Sequence, residues 1–329
     1  MKANMIRCLV FSKDRAMQLD AVLHSFFLNC LDSEKYAALH VIYKASNEFH
    51  AQQYGELSCL YPHVQFIEQK NFRRDLIQTI IPDKKGLLRS FLRDLLIGVG
   101  SFGFPVDSRA DKVVRRFFDA PRIRILKMLL PKVEQETGLL FLVDDNIFVR
   151  NFFLADMVNA LKRNPKAIGF SLRLGKNTQY CYIRQKKQSL PEFSFLLPNI
   201  LKYTWANADL DFAYPLEISS SLYLTNFIAP VLMAMAFENP NDLEIKIATR
   251  SFIFRDHYPE LLCFERSVAF CNPVNIVQTV YKNRAGKQVD LSIDHLAELF
   301  AQGKRINVGS FEGFVPESCH QEVELTFEN

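Results

Sequence analysis

The chain has 329 residues, 49% of them hydrophobic and 23% charged, with a mean hydropathy of −0.02, the balance of an ordinary soluble globular protein with a substantial core. Its formal charge of +4 fits an anionic small molecule as well as a macromolecule and selects no partner. Seven cysteines, widely spaced and without a C-x-x-C pair, argue against a disulfide framework or a structural zinc site and for reduced thiols.

Met1 to Arg7 leads into only four apolar residues, Cys8 to Phe11, too few for a signal-peptide core or a membrane span, so the chain is expected to be cytoplasmic. Cys8 to Phe11 reads as a short strand. Leu19, Val22, Leu23, Phe26 and Phe27 then follow at helical spacing, with Ser12 or Asp14 placed to cap that helix. Leu39 to Tyr43 and Val64 to Ile67 read as further strands, and Leu87 to Val99 as a helix. Strands separated by helices predict a parallel, doubly wound α/β sheet.

Between residues 98 and 132 the alternation is lost. Eight cations, Arg109, Lys112, Arg115, Arg116, Arg122, Arg124, Lys127 and Lys132, face two acids, Asp111 and Asp119, among interleaved apolar residues. The segment reads as an insertion. It is either an amphipathic helix with a solvated basic face or a surface for peripheral contact with the anionic inner face of a membrane or with an acidic acceptor.

Leu139 to Val143 forms the most hydrophobic strand, as a strand covered on both faces should be, and ends abruptly in Asp144, Asp145 and Asn146. A helix over Leu154 to Arg163, a strand over Ile168 to Leu172 and a strand over Ser221 to Thr225 follow. Phe227 to Phe237, interrupted by Pro230, reads as a buried helix. Asn241 to Thr249, capped by Asn241 or Asp242, and Asp294 to Ala301 read as helices. No linker, low-complexity tract or fixed-period repeat divides the chain, so a single domain spanning 1–329 is expected.

Ligands of open α/β sheets gather beyond the carboxyl ends of the strands. Two adjacent acids there repel one another unless a cation intervenes, and a hard ion such as Mg²⁺ or Mn²⁺ bridges one or two carboxylates to a diphosphate. The bland alternative is that Asp144 caps a turn and Asp145 is solvated. Asp209, Asp211 and Glu217, with Tyr203 and Trp205 able to stack on a sugar or base, read either as a loop shaping a pocket or as an exposed turn.

The run Leu-Phe-Leu-Val-Asp-Asp-Asn (140–146) resembles the DxD-type motif of GT-A glycosyltransferases. Val10 to Arg15 with Gln18-Leu19, and Ile42 to Ser46, are similar to that family's opening strand and nucleotide loops. The resemblance implies one GT-A-like domain with a mostly parallel central sheet flanked by helices. Residues 1–173 would be its nucleotide-sugar-binding half and 174–329 its acceptor half with a C-terminal tail. It implies a glycosyltransferase moving a sugar from a nucleotide-sugar donor to a glycan or other hydroxyl acceptor, assisted by Mn²⁺ or Mg²⁺. Phe11, Ser12, Arg15, Ala45, Ser46 and Asp144 would hold the donor.

Asp145, Asn146 and His320 would hold the metal. Asn146 departs from the family's acidic third position, which leaves metal independence open. His320, in the tail Pro316 to Glu322, would add a neutral imidazole nitrogen. Glu244 is by position the candidate general base and Asp242 the second candidate, although both also suit an ordinary helix start. Two rival readings are a nucleotidyltransferase and a degenerate domain acting as a binding or scaffolding module. No G-x-G-x-x-G or P-loop follows the first strand, which disfavours a dehydrogenase and a P-loop NTPase, and no nucleic-acid motif accompanies the basic segment.

Overall fold

The structure, a computed structural model, describes residues 6–81, 137–275 and 291–329. The helix expected over Leu87 to Val99 and the basic segment 98–132 lie outside the described residues.

In chain order the elements begin β1 (Ile6–Lys13), α1 (Ala16–Asn29), α2 (Ser33–Tyr36), β2 (Ala37–Lys44), α3 (Glu48–Leu60), β3 (Gln65–Glu68) and α4 (Phe72–Ile80). After the undescribed segment come β4 (Gly138–Val143), β5 (Asn146–Phe148), α5 (Leu154–Arg163), β6 (Ala167–Ser171), β7 (Tyr180–Cys181), β8 (Lys186–Lys187), β9 (Ser194–Leu197), β10 (Ile200–Thr204), β11 (Ser221–Leu224), α6 (Thr225–Met233) and α7 (Pro240–Ala248). The remainder is β12 (Glu260–Phe264), β13 (Ala269–Cys271), α8 (Ile293–Ala301), β14 (Arg305–Ile306) and β15 (Phe327–Glu328).

Nine strands form one sheet in the order β3-β2-β1-β4-β11-β6-β12-β10-β9. The first four are mutually parallel, β11 runs against both β4 and β6, and β12 is parallel to β6. β10 and β9 add antiparallel pairs at the far edge. The sheet is therefore mostly parallel, as expected, with β11 and β10 running against their neighbours.

Side-chain alternation divides the apolar residues between two cores. Cys8 and Val10 of β1 and Leu140 and Leu142 of β4 face a layer containing α1, α3, α5 and α8. Leu9 and Phe11, with Leu139 and Phe141, face α4, α6 and α7. Covering on both faces is why β4 is apolar at every position but reads as a strand only by its length.

Two caps differ from expectation. α1 begins at Arg15 without a side-chain cap, because Ser12 and Asp14 bond elsewhere. α7 is capped by Asn239, whose Oδ1 accepts from the Asp242 N–H at 2.9 Å, while the Asp242 carboxylate accepts from the Glu238 N–H at 3.0 Å. Pro240 then occupies the first turn, where its missing N–H costs nothing. α3 and α4 are helices the apolar spacing does not announce; each starts at an asparagine cap, Asn47 and Asn71.

At the centre of β6, a Cβ on Gly169 would lie 2.5 Å from the Tyr223 ring, which is fully buried. Gly169→Ala is expected to lower stability by about 1–3 kcal/mol through overpacking, read as a lowered denaturant midpoint. An unchanged midpoint would mean that Tyr223 yields freely.

Candidate functional site

β1, β2, β4 and β6 share one direction, so the residues that follow them, Asp14, Ala45 and Ser46, Asp144 and Asp145, and Leu172 and Arg173, emerge along one carboxyl edge. Glu217 arrives at the same edge because it precedes β11, which runs the opposite way.

The β1–β2 side is tightly built. Asp14 has a left-handed backbone (φ 55°), and its carboxylate accepts from the Ser46 N–H at 2.7 Å and the Ser46 hydroxyl at 2.6 Å. Ser12 Oγ lies 2.7 Å from the Tyr54 hydroxyl, which also accepts from the Arg15 N–H. The Tyr54 ring stacks on Tyr43 with centroids 4.3 Å apart. Phe11 is buried against Phe72 and Phe141, and its carbonyl accepts from the Asp144 N–H. Ala45 packs partly against the core.

Arg15 relieves the expected repulsion between Asp144 and Asp145. Its guanidinium donates to Asp144 Oδ1 at 2.9 Å and to the Asn275 carbonyl, while Asp144 Oδ2 accepts from the Lys13 N–H at 3.1 Å. Asp145 is treated differently. It is half-buried, and its Oδ1 is closed off from solvent without a hydrogen-bond partner. Burial raises its pKa; Arg15, Arg173 and a hydrogen bond with Cys271 oppose the rise, and Asp144 adds to it. Both acids, with Gln18, Ile147 and Asn272, line a small hollow.

Asn146 is fully buried. Its carbonyl oxygen accepts from the Val143 N–H at 2.9 Å and its amide donates to Cys271 Sγ, which β13 brings opposite Asn146 across the β5–β13 ribbon. The oxygen expected to face a metal is thus bracing the turn after β4.

Arg173 is the hub of the second half. It donates to Glu217 Oε2 at 2.9 Å and to Cys271 Sγ at 3.1 Å, and lies 3.1 Å from His320 Nε2. Glu217 also accepts from the Ser219 and Ser220 backbone N–H groups and from the Ser221 hydroxyl. The tail reaches the edge because Cys319 and Gln321 bond to the backbone of Cys271. His320 is held neutral, its pKa pushed down to about 3 by burial and by the Arg173 charge, so Nε2 accepts from Arg173.

Glu244 joins this cluster from α7. Burial first, then Glu217, raises its pKa to about 7; Arg173 and a hydrogen bond with Tyr214 oppose the rise, and Asp145 is close enough to contribute. The edge therefore gathers Asp145, Arg173, Glu217, Glu244 and His320 from five separated segments. Asp242 stays outside, paired with Lys246 at 2.8 Å and bonded into the start of α7.

Tyr203 and Trp205 are buried in the second core, their polar atoms bonded to the Phe212 and Tyr258 carbonyls. Asp211 accepts from Cys181 and Asp209 from the Ser189 N–H, so this partly buried turn is braced by the protein's own hydrogen bonds. Sequence reasoning missed Arg173, Tyr54, Cys271 and Tyr214. Arg173 carried a usable signal: a cation two residues beyond β6, the same position relative to its strand as Asp145. The other three carried none. Among the described residues no group of three or more His, Cys, Asp or Glu side chains converges on a metal position, and no helix is long and apolar enough to cross a membrane.

The fold is α/β, with a charged, partly desolvated cluster at the carboxyl ends of its parallel strands, where ligands of such sheets gather. The chain is similar to the bifunctional glycosyltransferase pgtA of Dictyostelium discoideum, with 26% identity over 332 aligned positions. The match covers 93% of this chain and 36% of that protein, so the chain spans about a third of the relative's length. No protein-family model matches the sequence.

Proposed function

We propose that this chain is a GT-A-type glycosyltransferase domain that moves a sugar from a nucleotide-sugar donor onto a hydroxyl of a glycan or other acceptor, with a divalent cation assisting. The observation that carries the reading is the edge cluster in which Asp145 keeps an unpaired oxygen within electrostatic reach of Glu244. Similarity to a glycosyltransferase along nearly the whole chain supports it.

In this reading the loop from Phe11 to Arg15 and the Ala45–Ser46 turn hold the nucleotide. Asp14 and Tyr54 fix that loop, and Asp144 aims Arg15. Asp145, with one oxygen closed off from solvent without a hydrogen bond, would be the protein's ligand to such an ion; Mg²⁺ and Mn²⁺ accept a single carboxylate when diphosphate and water fill the remaining positions. When bound, such an ion stabilises the negative charge of the departing nucleoside diphosphate. Asn146 and His320, engaged with Val143 and Arg173, support the cluster from within the protein. Glu244 takes the proton from the acceptor hydroxyl, and a carboxylate with a pKa near 7 is well matched to that work.

The test is thermal unfolding of the purified chain against nucleoside diphosphates and nucleotide sugars, each with and without Mn²⁺. A ligand at 100 times its Kd is expected to add about 2.7 kcal/mol. A metal-dependent rise with one nucleotide supports donor binding and identifies its class. No rise with any of them would replace this reading with a domain that has lost its donor site.

A further inference from the structure

We infer that the β7–β8 hairpin and the edge strand β9 form a surface that docks on a membrane bearing anionic lipid headgroups; the inference is independent of the glycosyltransferase reading. The hairpin pairs Tyr180 with Lys187 and Cys181 with Lys186, and the Gln185 N–H closes its turn on the Tyr182 carbonyl at 3.3 Å. Ile183 and Arg184 therefore form the tip. Turns favour Gly, Pro, Asn, Asp or Ser there, yet Ile183 stands in the turn and is 60% exposed. The base is fixed: the Tyr180 N–H bonds to the Glu317 carbonyl at 3.0 Å, the Tyr182 N–H to Ser318 Oγ at 3.2 Å, and the Gln188 amide to the Thr178 carbonyl at 3.0 Å. The fold thus holds an isoleucine in water where it adds nothing to either core.

Single exposed apolar residues are ordinary, but Ile183 is accompanied by Leu190, 40% exposed, and by Phe195 of β9, 59% exposed. The hairpin and β9 are linked through Lys176. Its ammonium lies 4.8 Å from the centre of the Phe195 ring, its carbonyl accepts from the Gln179 amide, and the Gln179 carbonyl accepts from the Gln188 N–H at the hairpin base. Charge decides what covers this surface. Arg184, Lys186 and Lys187 are exposed, and their side chains have no ion pair among the described residues; Glu192 is the only acid between residues 183 and 198. A bilayer with anionic headgroups satisfies both features at once, attracting the cations at the headgroup level and taking the apolar side chains just beneath. A nucleic acid would use the cations alone, since the aliphatic Ile183 and Leu190 have no π face on which a base could stack.

The experiment is co-sedimentation of the purified chain with vesicles of phosphatidylcholine, alone or mixed with about one-third phosphatidylserine, and heparin binding as a soluble polyanion control. Each cation near such a surface strengthens binding roughly fivefold, so three give the mixed vesicles an advantage of about 100-fold over the neutral ones. Lys186→Gln together with Lys187→Gln should weaken binding to mixed vesicles about 25-fold. Ile183→Ser and Phe195→Ser should each weaken it about 3-fold to 10-fold through lost apolar burial. All of these side chains are exposed, so the unfolding temperature should stay at the wild-type value. Equal binding to both kinds of vesicle overturns the inference. So does wild-type binding in every variant, the result expected if residues 109–132 carried the contact. Heparin binding as tight as vesicle binding, with Ile183→Ser and Phe195→Ser without effect on either, overturns it in favour of a polyanion site.

Discussion

Asp145→Asn is expected to reduce sugar transfer at least 100-fold to 1,000-fold while the unfolding temperature stays at or above that of the wild type. The amide keeps the shape of the side chain but removes the charge that would hold a cation and, through it, the leaving diphosphate; losing one electrostatic contact of that kind costs about that much in rate. Stability moves the other way because the folded protein desolvates this carboxylate and leaves Oδ1 without a partner. A carboxyl whose pKa is raised on folding carries no penalty below its unfolded pKa and an increasing one as pH rises. The stability advantage of the asparagine variant should therefore grow from pH 4 toward neutrality. Wild-type turnover in the variant would remove Asp145 from the chemistry, and a collapse of the unfolding temperature would make its role structural.

Glu244→Gln should lower kcat by about 100-fold to 10,000-fold with little change in the donor KM, as loss of a proton acceptor does. The wild type should show kcat/KM rising as pH passes through 7 and levelling above it, because Glu244 must lose its proton before it can accept one and its pKa is raised from 4.5 to about 7. The glutamine variant should be flat in that range. The same shift predicts stability. Folding tightens the hold on this proton, so the contribution is fully present below pH 4.5 and is lost as pH rises through 7, by roughly 3 kcal/mol at most. Replacing the carboxyl with an amide should remove that slope. A pH–rate profile identical in both forms would exclude Glu244 as the base and leave the loss of kcat to packing.

Much of the first half of the fold is legible from local pattern. β1, β2 and β4 stand out because apolar runs of strand length end at charged residues, and α1 and α5 because their apolar residues recur at helical spacing. The mixed sheet is not legible, since nothing in Ser221–Leu224 says that β11 runs backwards between β4 and β6. That direction follows from how distant segments close two cores.

The site divides in the same way. Asp144 and Asp145 are found by the rule that ligands gather at carboxyl ends of strands, a matter of position along the chain, and Ser46 by the family resemblance. Their individual tasks are not: Asp144 pairs with Arg15 while one oxygen of its neighbour Asp145 is left without a hydrogen bond, and Asn146 turns inward to Val143 and Cys271. Those differences depend on which groups approach from residues 173, 217, 271 and 320.

The sequence by itself thus determined the α/β class, the edge on which chemistry-bearing residues lie and the acids that lie there, because hydrophobic periodicity and strand termini are local properties. Only the tertiary structure decided which carboxylates are neutralised, which histidine nitrogen is engaged and that Glu244, not Asp242, faces the cluster. Burial and electrostatic coupling are set by neighbours far apart in the chain, and desolvation exists only once those neighbours have excluded water.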